Sequence, residues 1–140
     1  MDRSRVLFLC IGNACRSQMA EGFARAYGSD VMEACSAGLF PAGFIPPLTI
    51  KVMQEKNIDL SAALSKGLAA APKKIDLLIN MTGQKISPPG VMVEEWKITD
   101  PIGMSEQVFR QVAAEIEQRV MRLVLMLRAR QGGEGVARAL

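Results

Sequence analysis

Apolar and polar positions change rhythm repeatedly along the chain, and each change marks an element. Val6-Leu7-Phe8-Leu9 is an unbroken apolar run, the pattern of a strand covered on both faces of a parallel sheet. Ser17–Tyr27 then reads as a helix with Met19, Phe23 and Ala26 on one face and Gly28 placed to stop it. Val31–Ala37 predicts a second strand, closed by Gly38. Pro41, Gly43, Pro46 and Pro47 make the next stretch a loop, and Pro46 or Pro47 starts a helix to about Lys56 with Leu48, Val52 and Met53 inward. The alanine-rich segment Ser61–Ala71 reads as helical. Ile75–Asn80 predicts a third strand and Val91–Ile98 a fourth. From Met104 to about Arg130, Val108, Val112, Ile116, Val120, Leu123 and Leu127 recur at the spacing of one long amphipathic helix.

Strands alternating with helices predict an α/β fold, three-layered around a doubly wound four-stranded parallel sheet. Residues 1–131 form one domain on this reading, and residues 132–140 are expected to fray. In such sheets ligands bind beyond the carboxyl ends of the strands. Cys10 falls at that end of the first strand and Asp100 at that end of the fourth, so two reactive groups far apart in sequence reach one edge.

Composition narrows the chemistry. The chain has 140 residues, a balanced apolar and charged content and a net charge of +3, too small to argue for nucleic acid or a membrane surface but suited to a small acidic substrate. The N-terminal apolar run is too short for a signal peptide, and nothing approaches a membrane span. Cys10, Cys15 and Cys35 lack the spacing of a disulfide framework, which points to a reducing cytoplasm. There is no histidine, which excludes a His–Cys dyad, a Ser–His–Asp triad and the common histidine-containing metal sites. No metal or cofactor is expected.

The segment Cys10-Ile11-Gly12-Asn13-Ala14-Cys15-Arg16-Ser17 joins the first strand to the first helix. A loop feeding a helix N-terminus directs free backbone N–H groups and positive potential at one spot. Gly12 and Asn13 tolerate left-handed backbone, so the amides can curl inward around an oxyanion. Arg16 can hold two oxygens of a tetrahedral anion at once. Ser17 is a natural N-cap whose hydroxyl also reaches the Cys10 sulfur. In that field Cys10 is favoured as a thiolate, a nucleophile beneath a bound phosphoryl group. The leaving oxygen then needs a proton donor, and Asp100 before Pro101 sits in an extended turn that can project over the anion. Cys15, inside the loop, is a candidate redox partner for Cys10, balanced against a passive place in the loop. Cys35 reads as core, and Phe40 and Phe44 as an apolar wall beside the substrate or as packing.

The stretches LFLCIGNACRSQMAEGFAR, SAG at Ser36–Gly38, NIDLS at Asn57–Ser61 and ITDPIG at Ile98–Gly103 resemble the low-molecular-weight protein tyrosine phosphatases and the arsenate reductases of the same fold. The resemblance implies Cys10 as nucleophile, Arg16 and the loop amides as anion cradle, Asp100 as general acid then base, and Asn13, Ser17 and Ser36 as shapers of the loop. After the Asp100-Pro101 pair come Ile102 and Gly103 rather than the tyrosines usual in the phosphatases. The segment Met81–Ser87 carries no cysteine, so an internal thiol relay there is impossible.

Three functions follow in order of preference. The first is hydrolysis of a phosphorylated small molecule or phosphoprotein, phosphotyrosine among them, through a cysteinyl phosphate. The second is arsenate reduction with an external thiol donor such as glutaredoxin or glutathione. The third is a regulatory protein that binds an oxyanion without turnover.

Overall fold

The computed structural model describes the chain from residue 3 to residue 139, and its side chains to Gln131. Four parallel strands, β1 (Ser4–Cys10), β2 (Met32–Gly38), β3 (Leu77–Asn80) and β4 (Met92–Glu95), form one sheet in the order β2-β1-β3-β4. Three helices accompany them: α1 (Arg16–Gly28), α2 (Pro47–Glu55) and α3 (Glu106–Ala139). The chain passes from β1 through α1 to β2 on one side and returns to β3 on the other. The strand order therefore reverses between β1 and β3, where a crevice opens at the carboxyl ends of an α/β sheet.

Alternation within β1 divides the core. Val6 and Phe8 face a large cluster with Met19, Phe23, Ile79, Trp96, Phe109, Ile116 and Val120. Leu7 and Leu9 face a smaller one with Ala37 and Leu78, flanked by Leu39, Ala71, Ile75 and Ile86. Phe8 and Leu9 are wholly buried, and burial of each such side chain contributes about 1.5–3 kcal/mol. With that packing and seven-residue pairing to β2, the strand that delivers Cys10 is the best anchored in the sheet.

Most elements form where the apolar rhythm places them, with shorter third and fourth strands than expected. Four details differ. Ala26 is exposed, and Ala20 and Ala24 take the buried face with Met19 and Phe23. Ser17 is not the N-cap of α1, because Cys15 occupies that position and Arg16 is already helical. The last helix continues to Ala139, past the end near Arg130 that the apolar spacing predicts, and the side chains of residues 132–140, the tail expected to fray, lie outside those described.

The fourth difference is the largest. Ser61–Ala71 is not helical, apart from a single 3₁₀ turn at Leu68–Ala70. Its alanines favour a helix, but its backbone is used elsewhere: Gly38 N–H donates to the Lys66 carbonyl at 2.9 Å, and Lys66 N–H donates to Asn13 Oδ1 at 2.9 Å. Tertiary hydrogen bonds override a propensity worth only tenths of a kcal/mol per residue.

Candidate active site

β1 ends at Cys10, the loop turns over Ile11–Cys15, and α1 begins at Arg16. Asn13 adopts a left-handed backbone, φ 48°, which makes the turn possible without glycine. The loop is fixed from outside as well as within. Leu39, Phe40 and Ala42 donate backbone N–H bonds to the carbonyls of Cys10, Ile11 and Gly12 at 3.1, 2.8 and 2.9 Å. With those carbonyls occupied from one side, the loop keeps a single curvature. Phe40 and Phe44, 72% and 58% exposed, stand on that neighbouring segment.

Gly38 is where the two segments come closest. A Cβ there would lie 2.6 Å from Asn13 N and 2.7 Å from the Ile11 carbonyl oxygen, so no side chain fits against the loop.

Cys10 is buried, with its sulfur 2.9 Å from Ser17 Oγ. Asn13 Nδ2 donates to Ser17 Oγ at 2.8 Å and to Ser36 Oγ at 2.9 Å. Asn13, Ser17 and Ser36, named together from the sequence, thus form one hydrogen-bonded group beneath the loop. Ala14 and Cys15 are buried, while Ile11 and Gly12 are part-exposed at its outer bend.

Arg16 is almost entirely buried and is tied to the sheet. Its Nη1 donates to the carbonyls of Met81, at 2.7 Å, and Ile98, at 3.2 Å, just beyond β3 and β4. Its Nη2 lies 3.6 Å from Asp100 Oδ2. Asp100, half exposed, also accepts the N–H of Ile102 at 3.1 Å, which holds its carboxylate at the mouth of the crevice. A cation and a sulfur from one loop and a carboxylate from a distant part of the chain therefore converge at one edge.

Cys15 is a different thiol from Cys10. Burial pushes it up to about 11, and the Thr49 hydroxyl bonded to its sulfur at 3.2 Å only partly offsets this. Cys35 is likewise raised to about 11 by burial. Both are therefore protonated near neutral pH.

Sequence reading missed three side chains that reach the loop. Gln18 Nε2 donates to Asn13 Oδ1 at 2.8 Å, Glu21 Oε1 accepts from Ser36 Oγ at 2.5 Å, and Lys66 Nζ donates to Ser36 Oγ at 3.1 Å. The signal for the first two was present: Gln18 and Glu21 are polar residues three apart on one face of α1, in the turns that follow the loop. Lys66 had none, since its segment reads as a helix. Among the described residues, no group of three or more His, Cys, Asp or Glu side chains could hold a metal ion. No helix there is long and apolar enough to cross a membrane.

Fold, crevice and loop together are those of an α/β enzyme. The family model for low molecular weight phosphotyrosine protein phosphatase matches residues 5–132, and the chain belongs to that family. A glutaredoxin arsenate reductase of Synechocystis sp. is 35% identical over 126 residues, covering 86% of this chain and 95% of that protein. A solved structure of an arsenate reductase in the phosphate binding state superposes with a TM-score of 0.80 at 34% identity, over 89% of this chain and 98% of that one. The YwlE arginine phosphatase from Geobacillus stearothermophilus superposes with a TM-score of 0.76 at 26% identity, over 91% of this chain and 95% of that one.

Proposed function

We propose that this enzyme is an arsenate reductase whose Cys10 adduct is resolved by an external thiol. The observation that carries the reading is the company the site keeps. A complete oxyanion loop stands in a chain about a third identical to named arsenate reductases over nearly its whole length. This reverses the ranking drawn from the sequence, which put hydrolysis first. Arsenate has nearly the shape and charge of phosphate, so the loop amides of residues 11–17 and the Arg16 guanidinium would hold either.

In the first step the Cys10 thiolate attacks arsenic, an S–As bond forms, and an oxygen leaves as water with a proton from Asp100. An external thiolate then attacks the Cys10 sulfur. The S–As bond breaks with its electron pair on arsenic, which departs as arsenite, and Cys10 is left in a mixed disulfide. A second thiol restores Cys10 and releases the oxidised donor. The balance is arsenate plus two thiols giving arsenite, one disulfide and water. The donor comes from outside because Cys15 and Cys35 are buried or part-buried thiols raised to about 11, and Met81–Ser87 holds none.

Arsenite production with a panel of donors (glutaredoxin with glutathione, thioredoxin, glutathione alone) tests this. Turnover with at least one donor, abolished by Cys10→Ser, is expected. No arsenite with any donor would refute it.

Hydrolysis is the second reading, favoured by the Asp100 carboxylate at the open mouth of the crevice. There Asp100 would protonate the leaving oxygen and then activate water against a cysteinyl phosphate. Release of para-nitrophenol from its phosphate ester, compared with Cys10→Ser, measures it directly.

A further inference from the structure

The turn after β3 folds back over the end of its own strand. Asn80 Oδ1 accepts the Thr82 N–H at 3.0 Å and the Thr82 hydroxyl at 2.7 Å, and Asn80 Nδ2 donates to the Gln84 carbonyl at 2.7 Å. Gln84 N–H returns to Thr82 Oγ1 at 3.0 Å, a reversal that Gly83 permits with φ 80°. Asn80 and Thr82 are buried, and the sheet holds the Asn80 backbone, whose carbonyl accepts Trp96 N–H at 2.9 Å. Met81–Ser87 carries no cysteine, so this closed turn has no thiol to deliver.

We propose that Asn80 and Thr82 are positioning residues that aim the Met81 carbonyl and, through it, the Arg16 guanidinium. The Met81 carbonyl and the Thr82 N–H belong to one peptide unit. In a trans peptide the two point in opposite directions, so fastening the N–H to Asn80 Oδ1 fixes where the carbonyl points. It points at Arg16 Nη1, 2.7 Å away. The Ile98 carbonyl takes the second hydrogen of Nη1 at 3.2 Å. With both Nη1 hydrogens committed, the N–H groups of Nη2 and Nε are left for an anion. The competitor for them is Asp100 Oδ2, 3.6 Å from Nη2.

Packing does not hold the guanidinium on this side, because a cavity of about 750 Å³ lies against Arg16, Asn80 and Thr82. Hydrogen bonds must do it. Without the clamp the Met81–Thr82 peptide is free to rotate, one Nη1 hydrogen loses its acceptor, and the guanidinium swings toward Asp100 and away from the anion. The inference rests on Arg16 as an anion ligand and holds for reduction and hydrolysis alike.

Equilibrium binding of inorganic phosphate, read by calorimetry, tests this without reference to turnover. Asn80→Ala should weaken phosphate about tenfold, the size of one charge-assisted hydrogen bond lost. Thr82→Val keeps the shape and drops the hydroxyl, and should weaken it about threefold, while Thr82→Ser stays near wild type. A merely structural clamp would loosen the fold and weaken phosphate as well, so the second readout is Arg16 itself. NMR of protein carrying isotope-labelled arginine should show slowly exchanging Nη1 hydrogens for Arg16, assigned by their loss in Arg16→Lys. Asn80→Ala should speed that exchange about tenfold, and Thr82→Ser should leave it alone. Phosphate affinity within about twofold of wild type in both Asn80→Ala and Thr82→Val overturns the proposal. So does weakened affinity with Arg16 exchange unchanged, or a wild type whose Arg16 hydrogens exchange as fast as those of exposed arginines. Thr82→Val carries the test if Asn80→Ala fails to fold. A wild type that binds no phosphate would instead remove the oxyanion reading on which the proposal stands.

Discussion

Replacing Gly38 with alanine tests whether the loop is held rigidly enough to govern the chemistry. The new Cβ would sit 2.6 Å from Asn13 N, 2.7 Å from the Ile11 oxygen and 2.8 Å from the Gly12 carbonyl carbon, whereas ordinary contact begins at 3.4 Å. All three atoms are backbone, so no rotamer change can absorb the overlap. The loop must retreat by up to about 0.8 Å, the difference between 2.6 and 3.4 Å. Three backbone bonds to Cys10, Ile11 and Gly12 pin it to the segment that Gly38 begins, so it moves as a unit. Overpacking of this kind costs about 1–3 kcal/mol of stability. A misplacement near 1 Å costs roughly 10²-fold in rate. Steady-state arsenite production, or para-nitrophenyl phosphate hydrolysis if that is the activity, measured beside a urea melt, reads both. A Gly38→Ala enzyme that stays folded and works within a few-fold of wild type would refute the rigid-loop argument.

Other outcomes follow from the same geometry. Arg16→Lys keeps the charge but loses the planar guanidinium, whose Nη1 alone meets the Met81 and Ile98 carbonyls and leaves its other N–H groups for an anion, and should lower kcat/KM about 10²-fold, as removing one oriented donor does. Iodoacetamide at neutral pH should add one carboxamidomethyl group, on Cys10, by peptide mass; prompt labelling of Cys15 or Cys35 would contradict the protonated state that their raised values, about 11, require. Glu55 is held below its usual range by Arg110, and Glu106 by Lys51 and Arg110. Carboxyls depressed in the folded state stabilise it above the unfolded value of about 4.3, and that contribution is lost as pH falls through their folded values. Arg110→Gln should therefore flatten the acid-side fall in urea midpoint, and an unchanged profile would show that these exposed pairs contribute nothing.

The parts legible in the sequence are those specified by a few neighbouring residues. Val6–Leu9 could only be a buried strand, and the Gly-Asn turn with Arg16 at the head of an amphipathic helix marked the anion loop. Asp100 required the fold, because an Asp-Pro pair alone is only a turn, yet the fourth strand put it at the right edge. The illegible part is Ser61–Ala71, where local propensity and tertiary demand disagree. Nothing near Lys66 announces that its N–H, carbonyl and amine all serve residues 13, 36 and 38. For the same reason Glu21 looked like one more helix carboxylate until β2 brought Ser36 against it.

The way Arg16 is tethered bears on whether such a site can be moved to another protein. The eight residues from Cys10 to Ser17 look portable, a contiguous cassette between a strand and a helix. Yet Arg16 is oriented by carbonyls from beyond β3 and β4, and Asn13 by residues 36 and 66. A graft of the cassette alone would carry the nucleophile and leave its scaffolding behind. The smallest transferable unit is discontinuous: five stretches of chain that become neighbours only when the whole sheet is assembled.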